Sequence, residues 1–266
     1  MGKLIEGIWY TDDTLVEAEQ KQYKAAQGRF VRGTAQHRNW ITPNGEAGPS
    51  GRGGFKAQAG RYHLYAAINC PWAHRTLIYR QVKKLQDIIG LSLVSPLRTD
   101  QGWVFDQSQK RFSDGLYDLN AIHELYVRDD PQFSGRVTVP VLWDKHTQRI
   151  VSNESSEIIR MMNSAFNLMT GDTQDFYPDH LQTDIDDLND TIFNNLNNGV
   201  YKTGFARSQQ AYDEAVTKVF STLNDLEKRL QHNQYLLGDA ITEADWRLLP
   251  TLARFDVGYF SAFKCN

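Results

Sequence analysis

About two-thirds of the way along this chain of 266 residues the spacing of apolar positions changes period, and that change constrains the fold more than any other feature. Between about Tyr62 and Phe166 short β-rich runs alternate with helical ones. Beyond about Asp172 the apolar residues recur at helical spacing alone. A chain patterned in this way folds as an α/β domain followed by an all-helical domain.

In the α/β part, residues 62–68 form a short, aromatic-rich run ending at Asn69, and read as a strand. Cys70-Pro71-Trp72-Ala73 then opens a predicted helix to about Gln86, with much of its apolar pattern carried by Trp72, Thr76, Ile78, Val82 and Leu85. Residues 91–95 read as a second strand, so the unit is a parallel crossover. A long loop, 96–116, holds Trp103. A helix is expected near 117–128, a strand over 137–143, a hairpin partner over 149–152 and a helix over 154–166.

In the helical part, Leu181, Ile185, Leu188, Ile192 and Leu196 mark one apolar stripe, and Tyr212, Val216, Val219, Leu223, Leu226 and Leu230 another. Thr242 is a good N-cap, with Asp245 three residues on, where a carboxylate suits the positive helix end. Residues 1–60 read as an irregular arm with a turn-rich stretch at 45–54. Its scattered Trp9, Phe30 and Trp40 suit packing onto a body better than a free tail. The expected division is arm 1–60, α/β domain 61–168 and helical domain 176–266.

Composition removes several classes of function. The net charge is −3 and basic residues are scattered, which does not suggest nucleic acid. No run of about 18 apolar residues spans a membrane. The polar, acidic N-terminus is neither a signal nor a transit peptide, so the expected location is cytoplasmic. Residues 161–201 contain no Lys or Arg but include Asp172, Asp175, Asp179, Asp184, Asp186, Asp187 and Asp190. A loop followed by a solvated helix face accounts for them. With two cysteines, Cys70 and Cys265, the chain has neither a disulfide framework nor a cysteine-rich zinc site.

Three local features can carry chemistry. Cys70 follows a strand and precedes a helix beginning with proline, the favoured first-turn residue. A thiol there faces backbone N–H groups and the positive helix end, which favour the nucleophilic thiolate, and His74 and Arg75 lie one turn away. A lone cysteine is more often buried packing, but this context reverses that expectation. Because Ala73 stands three residues on, no dithiol forms within the turn, and a mixed disulfide on Cys70 needs an outside thiol. Thr138-Val139-Pro140 leaves backbone free to pair with an extended peptide, although an ordinary edge-strand proline fits equally well. Ser152-Asn153-Glu154-Ser155 sits where a strand passes to a helix, a start that suits carboxylates. Plain capping predicts the same residue types.

Taken together, the strand, Cys-Pro-Trp-Ala, Val-Pro-Val-Leu and Ser-Asn-Glu-Ser resemble the thioredoxin-like half of a glutathione transferase. Tyr235-Leu236-Leu237-Gly238 followed by Thr242-Glu243-Ala244-Asp245 resembles that family's helical half. Trp40-Ile41-Thr42, the residues from Asn69 to Arg75 and the stretch from Arg254 to Asn266 are similar to the xi class, the glutathionyl-hydroquinone reductases. The match covers nearly the whole chain. The resemblance implies a thioredoxin-like glutathione-binding domain and a helical glutathione transferase domain. Cys70 would be the nucleophile, Tyr201 the proton donor beside the aromatic substrate, and Tyr259 a group approaching the Cys70 sulfur. Val139 would pair its backbone with the tripeptide, within Val137-Thr138-Val139. Glu154 and Ser155 would hold its γ-glutamyl end, and Trp103 and Arg136 would contact it.

The implied reaction removes glutathione from a glutathionyl-hydroquinone through a Cys70 mixed disulfide. Glutathione is then a cosubstrate, with no metal and no tightly bound cofactor. The implied partners are glutathione and an aromatic hydroquinone conjugate, with no membrane and no nucleic acid, and the implied assembly is a homodimer. Members of this branch continue beyond Phe-Lys-Cys-Asn, so the helical domain is expected to be truncated at Asn266, and Cys265 is read as a structural thiol. Two other readings stay open. One is a general glutathione-dependent thiol transferase or dehydroascorbate reductase. The other is a glutathione-binding module inactive through C-terminal truncation.

Overall fold

The computed structural model describes residues 2–266 and, over residues 12–16, the backbone alone. Two compact units emerge. The first comprises Thr34–Gln174 with the chain up to Val16. The second comprises Glu17–Gly33 with Asp175–Asn266.

The chain opens with β1 (Lys3–Ile5) and β2 (Ile8–Tyr10), an antiparallel hairpin, followed by helix α1 (Asp12–Ala25). Next come β3 (Tyr62–Ala66), α2 (Pro71–Val82), β4 (Gly90–Leu93), α3 (Ile122–Asp129), β5 (Gly135–Arg136), β6 (Val141–Asp144), β7 (Arg149–Ser152), α4 (Ser155–Ser164) and the short α5 (Asn167–Thr170). The main sheet has the order β4-β3-β6-β7, with β3 parallel to β4 and antiparallel to β6, and β6 antiparallel to β7. The parallel crossover and the hairpin partner are as the pattern predicts. Helices α2 and α4 pack on each other and against β3 and β7. Every residue of β3 and β6 is buried, as strands covered on both faces require. The second unit holds α6 (Gln182–Ile192), which runs into a π-helical stretch at Phe193–Asn197, then α7 (Gly199–Gly204), α8 (Gln209–Leu230), α9 (Glu243–Leu252) and a further π-helical stretch at Phe255–Phe260.

Several elements differ in extent from the sequence pattern, each for a local reason. Helix α2 stops at Val82 rather than near Gln86. Lys83 closes it by donating to the Tyr79 and Gln81 carbonyls, and Lys84 turns to a φ of 56°. Helix α3 begins at Ile122 rather than near Tyr117, because the preceding loop winds around the Asp114 carboxylate. That carboxylate accepts the N–H groups of Leu116, Tyr117 and Leu119, an alternative to helix that an Asp offers. Of the strand expected over 137–143 only 141–143 is strand, and a separate short strand precedes it. Gly135–Arg136 pairs with β1, Val141–Asp144 pairs with β3, and Pro140, lacking an N–H, lies between them.

The arm is irregular from about 26 to 61 apart from isolated bridges, but β1, β2 and α1 are regular. The β1–β2 turn places Glu6 and Gly7 at φ values of 50° and 76°, which glycine supplies without strain at its position. In α8 the buried face is Ala211, Ala215, Val219, Thr222 and Leu226. Val219 and Leu226 are as expected, Tyr212, Val216 and Leu223 are half-buried with the residue before each buried instead, and Leu230 is exposed. Small side chains let α8 approach its neighbours closely, and a hydropathy stripe underweights them. Thr242 and Asp245 form the full capping box, with the Thr242 N–H donating to Asp245 at 2.8 Å. Asp184, Asp187 and Asp190 are exposed on α6 as expected, but Asp172 is buried against Lys83 at 3.1 Å.

The arm is fastened to the sheet by a buried ion pair. Arg61 Nε donates to Asp144 Oδ1 at 2.9 Å, and Arg61 Nη2 reaches both Asp144 Oδ2 and the Gly54 carbonyl. Burial alone would raise the Asp144 pKa. Hydrogen bonds from Arg61, Thr147 and the His146 N–H outweigh it and hold the carboxyl below its ordinary range. Asp144 therefore adds stability above the unfolded carboxylate pKa of about 4, and loses it as pH falls through the lower folded value. Asp144→Asn should cost about 3 kcal/mol at pH 7, because it leaves Arg61 buried without a counter-charge. The deficit should narrow below about pH 4. Urea unfolding of both proteins across that range checks it.

Candidate active site

Strand β3 ends at Ala66 and α2 starts at Pro71, so the chain turns within residues 67–70. Cys70 closes that turn as the N-cap of α2, in extended conformation, with its N–H donating to the Ala67 carbonyl at 3.2 Å and its carbonyl accepting from His74 at 2.9 Å. The side chain is 7% exposed, and Sγ lies 3.6 Å from the Val139 carbonyl. The helix behind it begins with Pro71, so the positive end of α2 points at this residue. Arg75, one turn on, stacks its guanidinium on Trp72 at 4.8 Å.

Val139 precedes the cis peptide bond to Pro140 and lies outside the ladder, which begins at Val141. Val137 and Val139 are buried and Thr138 is half-buried. The neighbouring segment starts α4. Glu154 is the N-cap, its Oε1 accepting from the Ser156 N–H at 3.0 Å and the Ser156 hydroxyl at 2.8 Å, and Ser155 is the buried first residue of the helix. The capping role that competed with ligand binding in the sequence is therefore real, and it falls to Glu154.

The two segments are joined. Tyr126 Oη donates to the Thr138 carbonyl at 3.1 Å and accepts from Asn153 Nδ2 at 3.0 Å. One continuous set of contacts thus runs from Cys70 through Val139 and Thr138 to Asn153 and Glu154. Trp103 and Arg136 stand on other elements of the same unit. Trp103 is a half-buried loop residue with the Arg98 guanidinium over its ring at 4.7 Å, and Arg136 is exposed on β5 opposite Lys3.

The helical unit gathers Tyr201 and Tyr259. Their ring centroids are 5.9 Å apart, and Phe263 lies 5.3 Å from each. Phe205 and Phe30 extend the cluster, and the Arg32 guanidinium sits over the Tyr201 ring at 4.6 Å while Arg32 Nε donates to Asn198 Oδ1 at 2.6 Å. Gly204 makes room for Phe263, since a Cβ there would lie 2.7 Å from the Phe263 side chain. Sequence reasoning found the two tyrosines by resemblance, named Phe30 only as a packing residue of the arm and Phe263 only within a motif, and passed over Arg32 and Phe205. Tyr126, Asn153 and His37 were likewise not singled out for roles of their own. Nothing in local spacing marks an arm residue as a ring partner of a helix some 170 positions on. Asn153 lay inside a quoted motif, but its neighbours drew the attention.

Cys265 is fully buried, with Sγ 3.8 Å from the Val200 carbonyl, and burial pushes its thiol up to about 11. Among the described residues, no group of three or more His, Cys, Asp or Glu could hold a metal ion, and no helix is long and apolar enough to cross a membrane.

Comparison with known proteins bears on this geometry. Residues 69–165 match the family model for the glutathione S-transferase N-terminal domain, and 209–263 match the model for the C-terminal domain. The glutathionyl-hydroquinone reductase YqjG of Escherichia coli is 51% identical over all of this chain and 79% of its own length. The glutathionyl-hydroquinone reductase PcpF of Sphingobium chlorophenolicum is 43% identical over all of this chain and 80% of its own. The glutathione-bound structure of YqjG superposes with a TM-score of 0.88 at 49% identity, covering 100% of this chain and 78% of that one. The glutathione transferase Xi structure from Phanerochaete chrysosporium gives 0.83 at 48% identity, covering 89% and 79%.

The two thiols should differ in reactivity. In the folded protein near pH 7, iodoacetamide should label Cys70 well before Cys265, whose pKa of about 11 leaves it protonated. Peptide mass spectrometry after timed quenching reads the order, and in urea the two should label at similar rates.

Proposed function

The chain belongs to the glutathione transferase family, in its xi class, and on that premise we propose that it is a glutathionyl-hydroquinone reductase working through Cys70. The observation that carries the reading is the placement of Cys70 at the N-cap of α2, its sulfur 3.6 Å from the backbone of Val139. A thiol at that helix end serves as a thiolate nucleophile. The adjacent backbone outside the ladder is free to pair with the cysteine of a bound tripeptide. Glu154 and Ser155 receive the γ-glutamyl end of glutathione, and Trp103, Arg136, Val137 and Thr138 contact the rest.

In the first step the Cys70 thiolate attacks the sulfur of the conjugate. The sulfur–aryl bond breaks, and the aryl carbon takes the electron pair and a proton from Tyr201. Hydroquinone leaves, and a Cys70–glutathione disulfide remains. In the second step a glutathione thiolate attacks that disulfide, restoring the Cys70 thiolate and releasing oxidised glutathione, while Tyr201 regains its proton from solvent. The balance is two sulfurs, the thioether sulfur of the conjugate and the thiol of one glutathione, each oxidised by one electron for one aryl carbon reduced by two. Ala73 occupies the position where a resolving cysteine would stand, and Cys265 is buried in its own unit with a raised pKa. The second thiol therefore comes from solution. In the same proposal Tyr259, packed against Tyr201, has the role of helping to keep the Cys70 sulfur ionised.

Glutathione is a cosubstrate in this scheme. A homodimer in the cytoplasm is part of the same proposal. Exposed Leu249, Leu252, Val257 and Phe260 on the helical unit support a partner surface.

Purified protein given glutathionyl-menadiol and excess glutathione should release menadiol with ping-pong kinetics. Cys70→Ala should abolish release, and Tyr201→Phe should lower kcat by about a hundredfold, the scale of a placed general acid. Loss of menadiol release together with intact reduction of a glutathione mixed disulfide would instead identify a general thiol transferase, whose chemistry needs Cys70 but no acid at Tyr201.

A further inference from the structure

We propose that Tyr126 is a positioning residue for glutathione, its buried hydroxyl joining the backbone of Thr138 to the side chain of Asn153 and so setting the two ends of the tripeptide site against each other. The inference rests on the reading that Val139 pairs with the tripeptide backbone and that Glu154 and Ser155 hold its γ-glutamyl end.

A phenolic hydroxyl has one donor and room for two acceptors, and here all are in use. Tyr126 Oη donates to the Thr138 carbonyl at 3.1 Å. It accepts from Asn153 Nδ2 at 3.0 Å and, at longer range, from the Thr138 N–H at 3.4 Å. The residue is fully buried on α3, and burial raises its pKa despite the hydrogen bonds from Thr138 and Asn153, so it stays a neutral phenol. One residue it touches, Thr138, is itself among the proposed ligand contacts and adjoins Val139, and the other, Asn153, adjoins Glu154. No regular ladder holds the loop between β5 and β6; this hydroxyl fixes it at Thr138, where Asn153 Nδ2 also reaches Thr138 Oγ1 at 3.4 Å, and Cys70 Sγ meets it at the Val139 carbonyl.

Asn153 is clamped from the other side by the arm. The His37 N–H donates to Asn153 Oδ1 at 3.3 Å, and the Asn153 N–H donates to the His37 carbonyl at 3.1 Å. His37 is held in turn by Asp129 at 3.0 Å, and Asp129 Oδ1 accepts from Arg149 Nε and the Ile150 N–H, each at 2.8 Å. Tyr126 and Asp129 stand one turn apart on α3, so a single helix fixes both the loop and the start of α4. The polar cluster on the other side of β3 differs in kind. His63, Ser92 and Asp114 are hydrogen-bonded in series, but all three are buried and burial lowers His63 to about 4, so they serve the fold.

The chemical step involves Cys70 and Tyr201, whereas the Tyr126 contacts end at the proposed binding segments, so its loss should weaken binding and spare turnover. The test is calorimetric titration with reduced glutathione, together with kcat at saturating glutathione, for the unaltered protein, Tyr126→Phe, Asn153→Ala and the double variant. Tyr117→Phe is the control. It removes another half-buried hydroxyl of this unit, one that accepts from Trp143 Nε1 at 3.0 Å, and reports on general destabilisation. Each single variant should weaken glutathione binding about tenfold, the double variant no more than about twofold beyond the weaker single, and kcat should stay within about threefold. Tyr117→Phe should lower Tm without changing affinity. Affinity within about twofold of the unaltered protein in both Tyr126→Phe and Asn153→Ala, or an equal loss in Tyr117→Phe, overturns the inference. Absence of glutathione binding by the unaltered protein overturns the underlying reading, and this inference with it.

Discussion

Residues 67–70 are all the chain has in which to turn from the end of β3 into α2, and the candidate chemistry depends on how firmly that turn is held. β3 cannot shift, because β4 and β6 flank it on both edges and its side chains are all buried. α2 cannot shift either, since it packs on α4 as well as on β3. The thiol is therefore fixed by the interior of the sheet as well as by its own contact with the Val139 carbonyl. The start of α4, carrying Glu154 and Ser155, belongs to the same rigid frame. Accurate placement of reacting atoms comes from regular elements, and a site on helix and strand ends inherits it.

The same frame explains what could be read from the sequence. The crossover from 62 to 95 was legible because strand and helix patterns are strongest where both faces of an element are buried. The capping box at Thr242 and Asp245 was legible because it is written in side chains three residues apart. The hairpin at Leu4 and Trp9 was not, since strands of three residues carry no period. In α8 the stripe gave Val219 and Leu226 but missed the interior Ala211, Ala215 and Thr222, which are weakly apolar yet permit close packing. The candidate site divides along the same line. Cys70, Glu154 and Ser155 sit at element boundaries that punctuation reveals. Tyr201 and Tyr259 were reached through resemblance alone, and Tyr126, an ordinary helix residue by sequence, emerged only from the fold.

Buried charge is what orders the segments that lack apolar period. Arg61 on Asp144 secures the end of the arm, the buried Asp129 carboxylate, hydrogen-bonded to His37, secures its middle, and Lys83 on Asp172 secures the chain after α5. Each pair joins an irregular segment to an element of the sheet or helix layer across 80 or more residues of sequence. Such pairs yield little net stability over apolar replacements, because desolvation offsets most of the attraction. A misplaced partner, however, leaves a buried charge alone at a cost of several kcal/mol. Their effect is to make one path of the arm far better than its alternatives, and apolar contacts cannot do that for a stretch rich in glycine and polar residues.

The helical unit solves a different problem by similar means. A phenol that gives up a proton to carbon, the role proposed for Tyr201, would need a fixed hydroxyl, and packed rings supply apolar surroundings for one. Tyr201 receives such surroundings from Phe205 on its own segment, from Tyr259 and Phe263 near the end of the chain, and from Arg32 in the arm. The guanidinium over the ring face is attracted to the negative face of the π system, while Asn198 takes one of its N–H groups. Arg32 is thus held by the ring and by the turn that precedes it, and the ring is held by Arg32. A neutral side chain of equal length would fill the space but lose the attraction. That is why a stretch as far from α7 in sequence as Phe30 to Arg32 belongs to this unit rather than to the sheet.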